Sequence, residues 1–168
     1  MRLVPISLET LDAEDYSGSA LAHLLGVGAP TDWPAPFNDA DSRKWMRGRL
    51  GDDAVDGRWL SYYVVADVGD GETLVGNCGF KGPPDPNGAV EVGYSIVPDY
   101  HRKGIGTAAL RALVEVAFDD ERVGRVTAET PVSFVASRRL LEKCGFAAVS
   151  ERTDPEDGDL VVYAVERV

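Results

Sequence analysis

The feature of this 168-residue chain that most restricts its fold is a glycine-rich turn leading into its most regular helix. The turn spans residues 101–107 and follows a predicted strand over residues 89–97, which Pro98 ends. Beyond the turn, apolar residues recur at the spacing of a helix that buries one face. They are Ile105, Ala108, Ala109, Ala112, Leu113, Val116 and Ala117. This succession of a strand, a glycine turn and an amphipathic helix indicates an α/β domain.

The start of this helix is suited to binding an anion, because its first N–H groups lack intrahelical acceptors and carry partial positive charge. Gly104 and Gly106 place no Cβ between the backbone amides and a phosphate oxygen. Thr107 adds a hydroxyl, and Arg102 and Lys103 add positive charge at the rim. We predict that the turn holds a diphosphate.

Two other diphosphate motifs compete with this interpretation. A Walker P-loop requires a Gly-Lys-Ser/Thr ending, which the turn lacks. A Rossmann fingerprint is closer, because Gly104, Gly106 and Ala109 fit it and Glu129 ends the next strand. That fold places its first glycine directly after the strand, however, and too few residues follow Glu129 to complete it. A glycine-rich turn without a ligand is the third alternative.

The remaining segments predict one domain over residues 1–168, with a mixed sheet. Three hairpin-connected strands precede a β-α-β crossover, so antiparallel and parallel neighbours are both expected. Strands are predicted at 2–8, 59–66, 73–80, 89–97, 125–129, 146–149 and 160–165. Helices are predicted at 12–25, about 39–50, 105–117 and 133–144.

Composition narrows the class of protein. The net charge of −11 disfavours nucleic-acid binding, and no apolar run is long enough for a membrane span. The N-terminus has no signal-peptide pattern, so we expect a cytoplasmic protein. Cys78 and Cys144 lie in apolar segments as expected for reduced thiols, and His23 and His101 suggest no metal site.

Two segments resemble a known family. Residues 91–107 resemble motif A of the GNAT superfamily of N-acetyltransferases, whose pattern is Gln/Arg-x-x-Gly-x-Gly/Ala, with His101 at its first position here. Residues 136–146 resemble motif B, especially as found in the Rim-type enzymes that acetylate protein N-termini. Phe134 stands where that helix usually begins with Asn, and Leu141 where some members have a tyrosine acid. The resemblance covers roughly residues 88–150.

The resemblance implies the GNAT fold: a mixed, mostly antiparallel sheet of about seven strands, flanked by about four helices. The sheet would splay between strands 4 and 5, and the pantetheine arm of acetyl-CoA would lie in the gap. Backbone groups of Ile96 and Val97 would bind that arm. The pyrophosphate would bind the amides of Arg102, Lys103, Gly104, Ile105, Gly106 and Thr107.

The implied reaction is acetyl transfer to a primary amine, which needs a base, a polarised thioester and a proton donor. Glu91 shares a strand face with the small residues Gly93 and Ser95, so we predict it as the base, acting through water. Backbone N–H groups near residues 94–96 would polarise the carbonyl. Ser137 resembles the serine that Rim-type enzymes use as proton donor.

Several alternatives stay open. The acceptor is either a protein N-terminus or a small amine, and the chain is either a monomer or a homodimer. A CoA-binding sensor without turnover, or a transferase of longer acyl groups, would share the same motifs. Trp33, Phe37 and Trp45 border the region where an acceptor groove would lie, either as its wall or as part of the core.

Overall fold

The computed structural model describes residues 1–52 and 54–168. Its strands are β1 (Arg2–Pro5), β2 (Ser61–Asp67), β3 (Glu72–Phe80), β4 (Ala89–Ile96), β5 (Arg125–Pro131), β6 (Ala147–Asp154) and β7 (Gly158–Glu166). Its α-helices are α1 (Leu8–Tyr16), α2 (Gly18–Leu25), α3 (Ala40–Leu50), α4 (Ile105–Phe118) and α5 (Val135–Lys143). Short 3-10 turns lie at Gly57–Trp59 and Pro98–Tyr100. In this described part, no helix is long and apolar enough to cross a membrane.

The strands form one seven-stranded sheet in the order β1-β2-β3-β4-β5-β7-β6. Strands β4 and β5 run parallel, because α4 carries the chain across between them, and every other neighbouring pair is antiparallel. The predicted fold class, a mixed and mostly antiparallel sheet of seven strands, is confirmed.

The pairing between β4 and β5 is short, and the point where it ends determines where a site can lie. Strands β4 and β5 pair only over Ala89–Glu91 and Arg125–Thr127. Strand β5 stays paired with β7 as far as Pro131, whereas β4 beyond Glu91 stays paired with β3. The two halves of the sheet therefore separate after Glu91, and the predicted splay between strands 4 and 5 is confirmed.

The helix predicted over residues 12–25 is wrong in one respect, because the structure divides that segment into α1 and α2. Ser17 adopts an extended backbone conformation, ends α1, and accepts a hydrogen bond from the Ala20 N–H at 3.0 Å as the N-cap of α2. A Cβ at Gly18 would lie 2.8 Å from the Trp33 Cβ, so glycine makes room for that ring. The described residues therefore form five α-helices, where about four were predicted.

Several strand boundaries also differ from the prediction, and two of these differences have local causes in the sequence. The first strand ends at Pro5, because Ser7 caps α1 by accepting a hydrogen bond from the Thr10 N–H at 3.2 Å. The strand predicted at 146–149 continues as β6 to Asp154, where it turns into β7. Polar residues fill this extension, so the apolar pattern used for the prediction does not reveal it.

Helices cover both faces of the sheet. One face packs on α4 and α5. The side chains buried between this face and the two helices include Val90, Val92, Ile96, Leu110, Leu113 and Leu141. The other packs on α1, α2 and α3, and its buried side chains include Leu11, Leu21, Met46, Tyr63 and Leu74. The gap between β4 and β5 thus opens between two helical layers.

Candidate active site

A cleft of about 830 Å³ lies where β4 and β5 separate. Its walls come from both strands, from α1, α3 and α5, and from the β6–β7 turn. The strands contribute Gly93, Tyr94 and Ser95 on one side and Ala128, Glu129 and Thr130 on the other. The cleft therefore opens beside the small residues of β4.

Alternate main-chain groups of β4 face its paired neighbour β3. The carbonyl of Glu91 accepts a hydrogen bond from the Lys81 N–H, and the Val97 N–H donates to Val75, both at 2.9 Å. Main-chain groups alternate in direction along a strand, so the odd-numbered residues of β4 bond to β3. The N–H of Val97, predicted to bind pantetheine, is thus already used within the sheet.

The even-numbered residues direct their main-chain groups toward β5. The Val90 carbonyl accepts a hydrogen bond from Thr127 Oγ1 at 3.3 Å, which fixes this direction. Further along, at Tyr94 and Ile96, β5 has moved away. The N–H and C=O groups of these two residues therefore face the gap.

His101 connects the glycine turn to the end of β4. Its Nε2 lies 2.7 Å from the carbonyl oxygen of Ile96. This contact uses one lone pair of the carbonyl and leaves the second lone pair and the Ile96 N–H. The residue that departs from the motif A pattern thus ties the turn to the strand beside the gap.

The turn itself has the backbone geometry of an anion cradle. Gly104 is the N-cap of α4 with φ 79°, and it has no side chain to cap the helix. Arg102 also adopts a left-handed conformation, with φ 63°. Successive N–H groups in such a turn converge on a concavity, and the first N–H groups of α4 have no intrahelical acceptor. Glycine at position 104 is therefore required by its conformation.

Glycine at position 106 also has a packing reason. A Cβ at Gly106 would lie 2.8 Å from Leu140 Cδ1 and 3.7 Å from Ile96 Cγ1. The missing side chain thus makes room for α5. The N–H of Gly106 lies in the first turn of α4, as predicted.

Glu91 lies beside the cleft rather than in its wall. It forms an ion pair with Lys81, and its side chain is 30% exposed. The two residues line a smaller hollow of about 270 Å³, and Lys81 also lines the main cleft. The structure therefore brings Gly93 and Ser95 to the cleft and places Glu91 one step away from it.

Ser137, at the start of α5, lines the cleft and contacts the hydroxyl of Tyr94. The Tyr94 hydroxyl lies 2.9 Å from Ser137 Oγ, with either atom able to donate. Burial raises the pKa of Tyr94, and the hydrogen bond to Ser137 opposes this rise. The two hydroxyls join β4 to α5 across the opening. Sequence reasoning missed the Tyr94 side chain, although a phenol on an apolar strand face normally requires a partner.

The comparisons with known proteins bear on the whole domain. Residues 1–147 match the family described as the acetyltransferase (GNAT) domain. The chain belongs to this family. It is 31% identical over 149 residues to the uncharacterized N-acetyltransferase YjdG of Bacillus subtilis, covering 87% of this chain and 85% of YjdG.

A further relative and a solved structure are similar to this GNAT protein. It is 35% identical over 87 residues to the putative ribosomal N-acetyltransferase YdaF of Bacillus subtilis, covering 47% of this chain and 46% of YdaF. It shares its fold with the microcin C7 self immunity acetyltransferase MccE, with a TM-score of 0.67 at 18% identity, covering 98% of this chain and 91% of MccE.

One carboxylate in the wall of the cleft is neutralised by an arginine. Arg152 donates to Glu129 Oε1 at 2.9 Å and to Oε2 at 2.6 Å. These hydrogen bonds hold the pKa of Glu129 below its ordinary value of 4.5. A carboxylate that is ionised and bound in this way is poorly suited to accept a proton at neutral pH. We therefore assign Glu129 a structural role.

Replacing Arg152 with Gln should lower the melting temperature at pH 7 by about 1–2 °C, since half-exposed ion pairs are weak. The pKa of Glu129 is depressed in the folded state, so the pair stabilises the protein above the ordinary pKa of 4.5 and less as pH falls below it. Thermal melts of both proteins between pH 7 and pH 3 test this. A difference that grows with acidity would contradict it.

Glu14 is a buried carboxylate at the other end of the cleft. Its oxygens accept hydrogen bonds from Trp33 Nε1 at 2.9 Å, Asn38 Nδ2 at 2.6 Å and the Tyr63 hydroxyl at 2.7 Å. Burial and the adjacent carboxylate raise the pKa of Tyr63. Glu14 therefore fixes the loop between α2 and α3 to the sheet. The sequence gives little sign of this, because its four residues are far apart in the chain.

Three aromatic residues were predicted either to form the wall of an acceptor groove or to belong to the core, and the structure divides them between these two places. Trp33 packs inward, with its ring 6.2 Å from that of Tyr63. Phe37 and Trp45 are exposed, and both line the cleft. Phe134 joins them from the start of α5. Two of the three thus lie at the wall, and one belongs to the core.

Proposed function

We propose that this GNAT protein transfers an acetyl group from acetyl-CoA to a primary amine by direct attack of the amine on the thioester. The observation that carries this proposal is the early end of β4–β5 pairing beside an uncapped helix N-terminus. Such a gap offers main-chain hydrogen bonds to an extended arm and an anion site to its diphosphate. The similarity to MccE, which was solved with acetyl-CoA and AMP, supports the same donor.

The donor would be held mainly by the backbone. We assign the pyrophosphate to the turn formed by Arg102, Lys103, Gly104, Ile105, Gly106 and Thr107. Ile96 would bind the pantetheine arm through its main chain, joined by Tyr94. Val97 would contribute little, because its N–H donates to Val75 and its carbonyl oxygen accepts a hydrogen bond from the Tyr100 N–H, both at 2.9 Å.

The chemical step assigns one role to each remaining group. Glu91 would take the proton of the attacking amine through water, as the carbon–nitrogen bond forms. The Tyr94 or Ile96 N–H would stabilise the oxyanion. When the carbon–sulfur bond breaks, Ser137 would protonate the departing thiolate, and the Tyr94 hydroxyl would return a proton to Ser137. Tyr94 would then regain a proton from water, so that the proton taken from the amine replaces the one given to the thiolate.

Thiol release from acetyl-CoA, measured against a panel of amines, tests the proposal. The panel should include N-terminal peptides, polyamines, amino acids and aminoglycosides. Thermal melts with acetyl-CoA report binding separately, because a ligand that binds the folded state raises the melting temperature. Binding without thiol release would favour a sensor, and an absence of binding would reject the proposed cofactor site.

Glu91→Gln should lower turnover about tenfold or more at pH 7 and leave acetyl-CoA affinity nearly unchanged. The deficit should narrow at high pH, because amines with pKa values of about 8 to 10.4 then lose their protons in solution. A rate profile from pH 6 to pH 10 measures this. Glu72→Gln is the matched control, since Glu72 is a strand carboxylate paired with Arg2. Equal profiles for Glu91→Gln and wild type would remove Glu91 from the mechanism.

A further inference from the structure

Three aromatic rings are exposed at one end of the cleft. Phe37 is 70% exposed, Trp45 47% and Phe134 44%, and all three line the cleft. The rings of Phe37 and Phe134 lie 6.1 Å apart, inclined by 46°. This spacing is that of an aromatic pair. The pair comes from separate elements, the loop before α3 and the start of α5, and so forms a two-sided apolar surface.

Phe37 is held outward at a conformational cost. Its φ of 64° lies in the left-handed region, which L-residues with bulky side chains rarely adopt. Its carbonyl accepts a hydrogen bond from Ser42 Oγ at 3.2 Å, and the Asn38 N–H donates to Ala35 at 3.2 Å. Ala35 and Asn38 are buried, whereas the ring between them is not. Burial of the ring therefore does not explain the strained turn.

Glu14 provides the anchor that imposes this turn. It binds the Asn38 side chain at 2.6 Å and is itself 6% exposed. Because Asn38 directly follows Phe37, the buried carboxylate fixes the direction in which the ring projects. Glu14 is thus a positioning residue for the exposed surface.

The charge around the cleft is unbalanced. Its cations are each paired: Arg43 with Asp15, Lys81 with Glu91 and Arg152 with Glu129. Among the described residues that line the cleft, Asp41 and Asp157 have no ion-pair partner. An unbalanced negative charge in a cleft attracts cations. The site therefore combines exposed aromatic rings with an excess of carboxylates.

We infer that the acceptor is a primary amine within a few bonds of an aromatic ring, and that this ring binds against Phe37 and Phe134. The inference rests on the proposed acetyl transfer and names its acceptor class. Asp41 and Asp157 attract the ammonium form, and the aromatic pair then orients the ring so that the amine reaches the cleft beside Gly93 and Ser95. A free arylalkylamine and a peptide with an aromatic first residue share this chemistry.

Rates of thiol release test the inference. The probes form two pairs: 2-phenylethylamine with butylamine, and one peptide made with either Phe or Ser as its first residue. We expect kcat/KM to be at least tenfold higher for 2-phenylethylamine than for butylamine, or for the Phe peptide than for the Ser peptide. The first result identifies a small-molecule source and the second a peptide source. Equal rates within both pairs would overturn the inference.

Alanine variants test whether the aromatic preference arises at Phe37 and Phe134. Phe37→Ala and Phe134→Ala should each reduce the aromatic preference about tenfold through KM, with the acetyl-CoA melting shift unchanged. Tyr16→Ala is the control, because Tyr16 is an exposed aromatic residue outside the cleft. An aromatic preference that survives both phenylalanine variants would overturn the assigned position.

One substitution separates recognition from folding. Phe37→Asn should lose the aromatic preference without lowering the melting temperature, because Asn adopts left-handed conformations more readily than Phe. Loss of preference together with loss of the acetyl-CoA melting shift would instead indicate damage to the whole cleft and overturn the specific role of Phe37. If wild-type protein shows no acetyl-CoA melting shift, the proposed function fails rather than the acceptor class.

Discussion

Ser137→Ala should release thiol about a hundredfold more slowly than wild type and bind acetyl-CoA equally well. The expected loss is in kcat, because Ser137 would act only when the thiolate departs. Stopped-flow or steady-state assays of thiol release measure the rate, and calorimetric titration measures the affinity for acetyl-CoA. Ser150→Ala is the control, since Ser150 lies on exposed β6 away from the cleft.

A substitution at Tyr94, whose hydroxyl contacts Ser137, tests the same protonation of the thiolate. Tyr94→Phe keeps the partly buried ring and removes only the hydroxyl that lies 2.9 Å from Ser137 Oγ. We expect an intermediate loss in kcat, about tenfold, with the double variant no slower than Ser137→Ala alone. Because burial raises the pKa of Tyr94, the phenol stays protonated through pH 9, and it should cause no fall in rate below that pH.

Unchanged kcat in Ser137→Ala would assign thiolate protonation to solvent. Multiplicative losses in Ser137→Ala and Tyr94→Phe would show that the two hydroxyls act independently and would contradict the relay.

Gly104→Val should weaken acetyl-CoA binding more than tenfold and abolish the melting shift that the ligand causes. A β-branched residue is a conformational outlier at a φ of 79°, so the turn must change shape to accept it. The N–H groups that would hold the diphosphate then no longer converge.

Gly26→Val is a matched control for this substitution. Gly26 ends α2 with φ 68°, and neither glycine has an atom within 4 Å of an added Cβ. Both variants should lose similar stability without ligand, and only Gly104→Val should lose the ligand response. A retained response in Gly104→Val would reject the cradle. The milder Gly104→Ala variant tests the same point if the valine variant does not fold.

The sheet and the strongest helices were predictable because their signals are local. The apolar stripe of α4 and the breaks at Pro98 and Gly145 each lie within a short stretch of sequence. The split between α1 and α2 was not predicted, although Ser17 and Gly18 interrupt the segment with an N-cap residue and a glycine. There the cap of α2 and the packing of Trp33 on Gly18 decide the structure.

The same distinction, between local signals and contacts of distant residues, applies to the candidate site. The anion turn is one continuous segment, so its residue types identify it. The contact between Tyr94 and Ser137 joins residues 43 apart, and that between Glu14 and Tyr63 joins residues 49 apart. Such contacts depend on how elements pack. Glu91 stays a prediction, because the structure places it beside the cleft and paired with Lys81.

The alternation of main-chain direction in β4 has a consequence for how such a domain changes during evolution. Amides and carbonyls are common to all residues, so a strand can exchange most side chains and still present the same hydrogen-bonding pattern to a cosubstrate. Recognition of the donor is then largely independent of residue identity. Mutations on the loops and helix ends around the cleft are free to alter acceptor choice, and new specificities can arise without rebuilding the scaffold.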